Sequence, residues 1–251
     1  MAAGCASAPL APTSTPLHTP ATSDRTPLPG PVRTVVIDAG HGGRDPGASH
    51  FGLQEKSLAL DIARQLAARL EAAGLTVVMT RETDQFLPLS RRSAIANRVQ
   101  ADLFVSIHLN ANPRGWVSGI EVYYPRGSVV SSAAEWPPAV HPSEVGIPTT
   151  AVKQVLWDLV LRETRAQSRT LASAICRAME GGLGAPCRTV KPARFVVLRE
   201  AWMPSVLVEV GYMSNHAEAQ RLGDAEYRQA AAAAIAEGVI AYIRELGVQH
   251  I

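Results

Sequence analysis

Cysteine is scarce in this chain: Cys5, Cys176 and Cys187 are the only three in 251 residues. None belongs to a Cys-x-x-Cys pair, which argues against a thiolate zinc site and against a thioredoxin-like redox site. An excess of charge of one sign is missing too. The 24 basic and 22 acidic residues leave a net charge of +2, with no sustained basic stripe of the kind that follows a phosphate backbone, so nucleic acid is not the expected partner. Long hydrophobic runs are absent. The most apolar late segment, 230–243, is interrupted by Glu237 and falls short of the roughly 20 apolar residues that a membrane-spanning helix needs. No internal repeat or heptad array is visible, and the Gly40-His41-Gly42-Gly43 cluster lacks the spacing of a dinucleotide fingerprint.

What is present divides into a tail and one domain. Residues 1–31 mix seven prolines, from Pro9 to Pro31, with Thr, Ser and Ala, a composition that cannot bury a core and reads as a disordered tether. Ala2-Ala3-Gly4-Cys5 resembles the end of a bacterial lipoprotein signal, which makes Cys5 a candidate lipidation site and the only expected route to a membrane. Neither a charged nor an apolar segment precedes it, for which a true start lying upstream is one explanation. An ordinary tail with a chance cysteine is the alternative.

From residue 32 to 251, strand-like and helix-like patterns alternate. Strands are expected at 33–37, 75–80, 101–107, 119–124, 195–198 and 206–210. Helices are expected around Leu58, Ile62, Leu66 and Leu70 with Gly74 as the stop, and at 89–99, 151–179 and 225–246. Gly181, Gly182 and Gly184 are expected to end the long helix. This order implies an α/β fold with a single, mostly parallel twisted sheet of about six strands flanked by helices. The stretch 125–150 is proline-rich and reads as an irregular inserted loop. Cys176, on the long helix, and Cys187, in the loop after it, are close enough in sequence to bridge in an oxidising compartment, with two free thiols as the alternative.

Three of the apolar runs deliver ligand-type side chains. His41 follows Val35-Val36-Ile37-Asp38-Ala39-Gly40, His108 follows Leu103 to Ile107, and Glu209 follows Ser205-Val206-Leu207-Val208. Open α/β sheets place their sites at the carboxyl ends of such strands. Two imidazoles and a carboxylate suit Zn²⁺ with one position left for water. Glu55, which opens the first helix, is the third ligand to expect, with His50 and Asp45 as rivals. Bound zinc brings the pKa of water down to about 7, and Glu209 would take the proton and return it to a leaving amine. Each residue also has a plainer reading. Glu55 could be a solvated residue favoured by the helix dipole, Glu209 could pair with Arg194 or Arg199, and Asp38 fits a strand-end or ligand-orienting role better than a ligand's.

Taken together, Val36-Ile37-Asp38-Ala39-Gly40-His41-Gly42-Gly43, Asp45-Pro46-Gly47-Ala48, Glu55-Lys56, Thr80-Arg81, Arg92, Ala96-Asn97, Ser106-Ile107-His108-Leu109-Asn110-Ala111 and Leu207-Val208-Glu209-Val210-Gly211-Tyr212-Met213-Ser214-Asn215 resemble the zinc-dependent N-acetylmuramoyl-L-alanine amidases of the AmiC-like, amidase type 3 family. The resemblance covers essentially the whole folded part. It implies a phosphorylase/hydrolase-like fold and one Zn²⁺ held by His41, Glu55 and His108, with Glu209 as the catalytic carboxylate. The implied reaction cleaves the amide between the lactyl group of N-acetylmuramic acid and L-alanine in peptidoglycan, for wall remodelling or daughter-cell separation in the cell envelope. Asn110, Arg188, Lys191 and Arg199 would meet the substrate. Cell-division members of the family carry, in the place of 125–150, a helix that plugs the site and is moved by an activator protein; the stretch here shows no clear amphipathic helix, so autoinhibition is left open, with Glu135 or Glu144 as the candidate plug. The competing class is a non-catalytic peptidoglycan-binding or activator protein of the same fold, which would be expected to lack one of the four site residues that this chain retains.

Overall fold

The computed structural model describes residues 32–126 and 150–248. The expected tether with Cys5, and the part of the inserted loop that holds Glu135 and Glu144, lie outside the described residues.

The first strand, β1 (Thr34–Ala39), is buried at every position after Thr34, the mark of a strand covered on both faces of a sheet. After it come a two-residue pair, β2 (Ser49–His50) and β3 (Leu53–Gln54), then α1 (Glu55–Ala72), β4 (Thr76–Met79), α2 (Leu89–Arg98), β5 (Leu103–Asn110) and β6 (Ile120–Pro125). The second half holds α3 (Thr150–Leu183), β7 (Cys187–Ala193), α4 (Val196–Arg199), β8 (Ser205–Tyr212), α5 (His216–Gly223) and α6 (Ala225–Val248). Six strands form one sheet in the order β4-β1-β5-β8-β6-β7. The first four are parallel, β6 runs against β8, and β7 is parallel to β6.

Helix α1 shows why the pattern folds as it does. Leu58, Ile62, Leu66 and Leu70 recur at helical spacing and are buried, and burying each such leucine or isoleucine contributes about 1.5–3 kcal/mol. The helix stops where Gly74 adopts φ 90° and the Leu75 amide donates back to the Leu70 carbonyl, a turn that favours a residue without Cβ. Helices α1, α3 and α6 cover one face of the sheet over the larger apolar cluster, which includes Ile62, Val105, Ile175, Val208 and Ile235. On the other face, α2 and α4 cover a smaller cluster of Val36, Ala96, Phe104, Val197, Leu198 and Leu207. The smaller cluster ends before the carboxyl ends of the strands, and the polar side chains begin there.

Three expectations need correction. Residues 195–198 are not a strand: Val196 to Arg199 form helix α4, and the strand before it is β7, in a stretch read as loop. Strand β7 pairs on one side only and carries Lys191 and Pro192, features of an edge strand that hide its character in the sequence. Gly181 and Gly182 do not end the long helix, which continues to Leu183. An added Cβ on Gly182 would lie 3.1 Å from Ala234 Cβ, so this glycine allows α3 and α6 to approach, and Gly184, at φ 59°, makes the stop. Pro125 is the last residue of β6 rather than the first of the loop. A disulfide joins Cys176 on α3 to Cys187 at the start of β7, with Cα atoms 5.7 Å apart.

Candidate metal centre

The site is built from rungs across the sheet. Asp38, Ser106, Leu207, Tyr123 and Lys191 stand in register on β1, β5, β8, β6 and β7, and one rung higher His108 pairs with Glu209, Glu209 with Glu121, and Glu121 with Thr189. Residues two apart on a strand share a face, so His108, Asn110, Glu209 and Glu121 all rise from the face of the smaller cluster.

His41 reaches this rung from the turn after β1. The turn is left-handed, with φ 58° at His41 followed by 126° at Gly42 and 57° at Gly43. A positive φ at a non-glycine residue is uncommon and persists only where the surroundings enforce it. Here two buried guanidinium groups do so. Arg81 donates to the carbonyls of Ala39 (2.9 Å) and Gly40 (2.7 Å), and Arg92 to those of Ala39 (2.7 Å) and His41 (2.7 Å). Buried charge needs a partner, and fully buried Asp38 supplies it by accepting from Arg92 (2.9 Å), Thr80 Oγ1 (2.6 Å) and Ser106 Oγ (2.8 Å). Asp38 is therefore a brace for the turn.

Glu55 stands between the two imidazoles. Its Oε2 is 3.1 Å from His41 Nε2 and its Oε1 is 2.8 Å from His108 Nδ1, while the amides of Ala48 and Leu109 donate to the same carboxylate at 2.9 and 3.1 Å. Ligand atoms of His41, Glu55 and His108 all lie within 4.8 Å of one another. Burial would raise the Glu55 pKa, but hydrogen bonds and charge from His108 and His41 outweigh it and hold the carboxyl well below its usual range. For His41, burial lowers the pKa, yet Glu55 and Asp45 outweigh it and the imidazole lies above its ordinary value. The rivals do not join the cluster. Asp45 holds the other face of His41, 2.8 Å from Nδ1, and accepts from the Gly47 amide at 3.1 Å, as an orienter of a ligand does. His50 lies in β2 with its ring 6.3 Å from that of Phe51.

Two glycines leave the space for this cluster. A Cβ added to Gly40 would lie 2.6 Å from His108 Nε2, and one added to Gly47 would lie 2.5 Å from Glu55 Oε2 and 2.7 Å from His41 Cδ2. Two imidazoles and a carboxylate, with His41 held by Asp45 and Glu55 by two backbone amides, form a donor set that fits Zn²⁺.

Glu209 lies between His108 and Glu121, with no partner in Arg194 or Arg199. Its Oε2 is buried and has no hydrogen-bond partner, and burial together with the charges of Glu55 and Glu121 pushes its pKa well above the ordinary carboxylate value. Of the other expected substrate residues, Asn110 and Lys191 both contact Glu121, at 3.1 and 3.5 Å. Arg188 donates to the Ser118 carbonyl at 2.9 Å, at the edge where β6 begins. Arg199 does not come to the site. It lies on α4, where it lines a cavity with Pro125, Leu161 and Thr164, and β6 runs against β8 so that Pro125 is at the far edge of the sheet.

Nothing in the sequence alone sets Glu121 apart or gives Arg81 and Arg92 a role. Glu121 reads as the polar member of an alternating strand, and the arginines read only as parts of the family motif; the folded chain brings all three inside.

The N-acetylmuramoyl-L-alanine amidase family profile matches residues 35–241. The N-acetylmuramoyl-L-alanine amidase AmiC of Neisseria meningitidis serogroup B is 38% identical over 231 residues, covering 87% of this chain and 56% of the relative. The enzyme AmiA of Escherichia coli K12 is 37% identical over 222 residues, covering 85% and 77%. Among solved structures, N-acetylmuramoyl-L-alanine amidase AmiC2 of Nostoc punctiforme superposes with a TM-score of 0.67 at 35% identity, over 84% of this chain and 97% of that one.

Proposed function

The chain belongs to the N-acetylmuramoyl-L-alanine amidase family, and on that premise we propose that it is a zinc-dependent peptidoglycan hydrolase that cleaves the amide between the lactyl group of N-acetylmuramic acid and the L-alanine of the stem peptide. The observation that carries this reading is the unpartnered, buried Oε2 of Glu209 one strand away from a braced His41, Glu55 and His108 cluster.

His41, Glu55 and His108 would hold the zinc. When bound, the cation polarises the scissile carbonyl and makes water more acidic. Glu209 accepts the proton of the attacking water on Oε2 and returns it to the leaving amide nitrogen, which departs as the amine of L-alanine. A carboxylate with a raised pKa is suited to both halves of that transfer. Asp45 fixes the tautomer and orientation of His41. Lys191 and Arg188 would receive the acidic peptide stem, Asn110 would contact the substrate beside them, and the displaced Arg199 is left out of this proposal. The substrate places the protein on the extracytoplasmic side, in the cell envelope. Among the described residues no helix is long and apolar enough to cross a membrane, and a lipid on Cys5 would be the anchor.

The test is product analysis. Digestion of purified peptidoglycan by the full chain is expected to release intact stem peptides beginning with L-alanine, to stop with a chelator and to resume with zinc. Shortened stems with the muramyl link intact would contradict the reading.

A further inference from the structure

Glu121 is a buried carboxylate directly opposite Glu209 on the antiparallel β6–β8 pair, and like charges so placed repel. Several donors compensate on the Glu121 side, the Tyr212 hydroxyl among them. Tyr123 Oη donates to Oε2 at 2.5 Å and Asn110 Nδ2 to the same oxygen at 3.1 Å, while Lys191 Nζ lies 3.5 Å from Oε1 and over the Tyr123 ring at 4.9 Å. Both oxygens of Glu121 are thus engaged, in contrast to the free Oε2 of Glu209.

The Asn110 amide is where this matters. The nitrogen of the Asn110 amide faces Glu121 Oε2, so its Oδ1 faces the other way. Among the described residues no hydrogen bond to Oδ1 is found. Asn110 lies two residues beyond His108 on the same face of β5, and the β5–β8 register shifts between these two residues, a bulge of the sort that re-aims side chains beside a site.

We propose that Glu121 is a positioning residue: by holding the amide nitrogen of Asn110, it presents the Asn110 side-chain carbonyl to accept an N–H from a secondary amide of the substrate. This rests on the amidase reading, because that substrate class carries such groups on both sides of the scissile bond. Without Glu121, the Asn110 amide is free to rotate and offers donor and acceptor indifferently.

The test is a double-mutant cycle in the full-length, zinc-loaded chain, read both as KM and kcat and as the Kd of an N-acetylmuramoyl-L-alanyl peptide measured in a Glu209→Gln background. Asn110→Ala is expected to raise KM and Kd about tenfold, the scale of one lost hydrogen bond, with kcat changed less and zinc content unchanged. Glu121→Ala is expected to raise them by a similar factor alone but no further on top of Asn110→Ala. Glu121→Gln, which retains an acceptor for the Asn110 amide, is expected to recover most of the loss. Additive effects in the double variant, or Glu121→Gln behaving like Glu121→Ala, would overturn the proposal. The Kd arm separates the two readings. A coupling seen in Kd, when the zinc-loaded chain that retains Glu209 leaves the lactyl amide intact, supports the positioning role and removes the amidase reading, whereas cleavage by that chain without coupling does the reverse.

Discussion

An alanine at position 40 would put its methyl group 2.6 Å from His108 Nε2, so the imidazole must move off the rung it shares with Glu209. Gly40 is not in a left-handed conformation, and the three atoms nearest to the added Cβ all belong to the His108 ring. Gly40→Ala is expected to retain the helix content seen by circular dichroism and to lose most of its bound zinc; full zinc occupancy in that variant would show that His108 is not held where the site needs it. Glu209 permits a second prediction at this scale. Its folded-state pKa is raised by burial and by Glu55 and Glu121, so above the unfolded value of about 4.3 the folded chain holds a proton that the unfolded chain has released. Stability then falls as pH rises through that window. In metal-free protein, Glu209→Gln is expected to melt at a higher temperature than the native chain at pH 8, with the gap closing below pH 4. An equal or lower melting temperature at pH 8 would contradict this. Much of the site was legible at this scale because His41, His108 and Glu209 each end a β-branched run. Glu121, Arg81 and Arg92 were not, since their roles depend on burial by segments far away in sequence.

At the scale of elements, long helices and central strands could be read from periodicity, while short or peripheral elements could not. Strand β7 alternates poorly and is only half covered, α4 opens on Val196 and Val197, which favour strands locally, while Val197 and Leu198 cap the smaller cluster, and α5 is a short helix between β8 and α6. Local preference loses to packing in each case. The contact between α3 and α6 gives a prediction of its own. A Cβ on Gly238 would lie 2.5 Å from Ile175 Cα and 2.9 Å from its backbone nitrogen, atoms that cannot turn aside. Gly238→Ala is therefore expected to lower unfolding free energy by about 1–3 kcal/mol through overpacking, despite the better helix propensity of alanine. Denaturant unfolding would check it, and a stabilised variant would mean that the two helices do not meet there.

For the whole molecule, parallel strands β1, β5 and β8 bring three chain segments to one edge, and the turn after β1 is braced there by two buried guanidinium groups, of which Arg92 is paired with Asp38. The sheet thus sets the spacing of groups that lie up to 168 residues apart in sequence, from His41 to Glu209. The alternation of strands and helices made the parallel half of this arrangement readable, whereas the reversal at β6, which places Glu121 against Glu209, leaves no mark in the periodicity. The most direct measurement of the central claim is zinc content and stem-peptide release, determined side by side for Glu209→Gln and His108→Ala. The account expects Glu209→Gln to keep about one zinc per chain and release nothing, and His108→Ala to lose the metal and the activity together. Turnover by Glu209→Gln, or a full complement of zinc in His108→Ala, would contradict it.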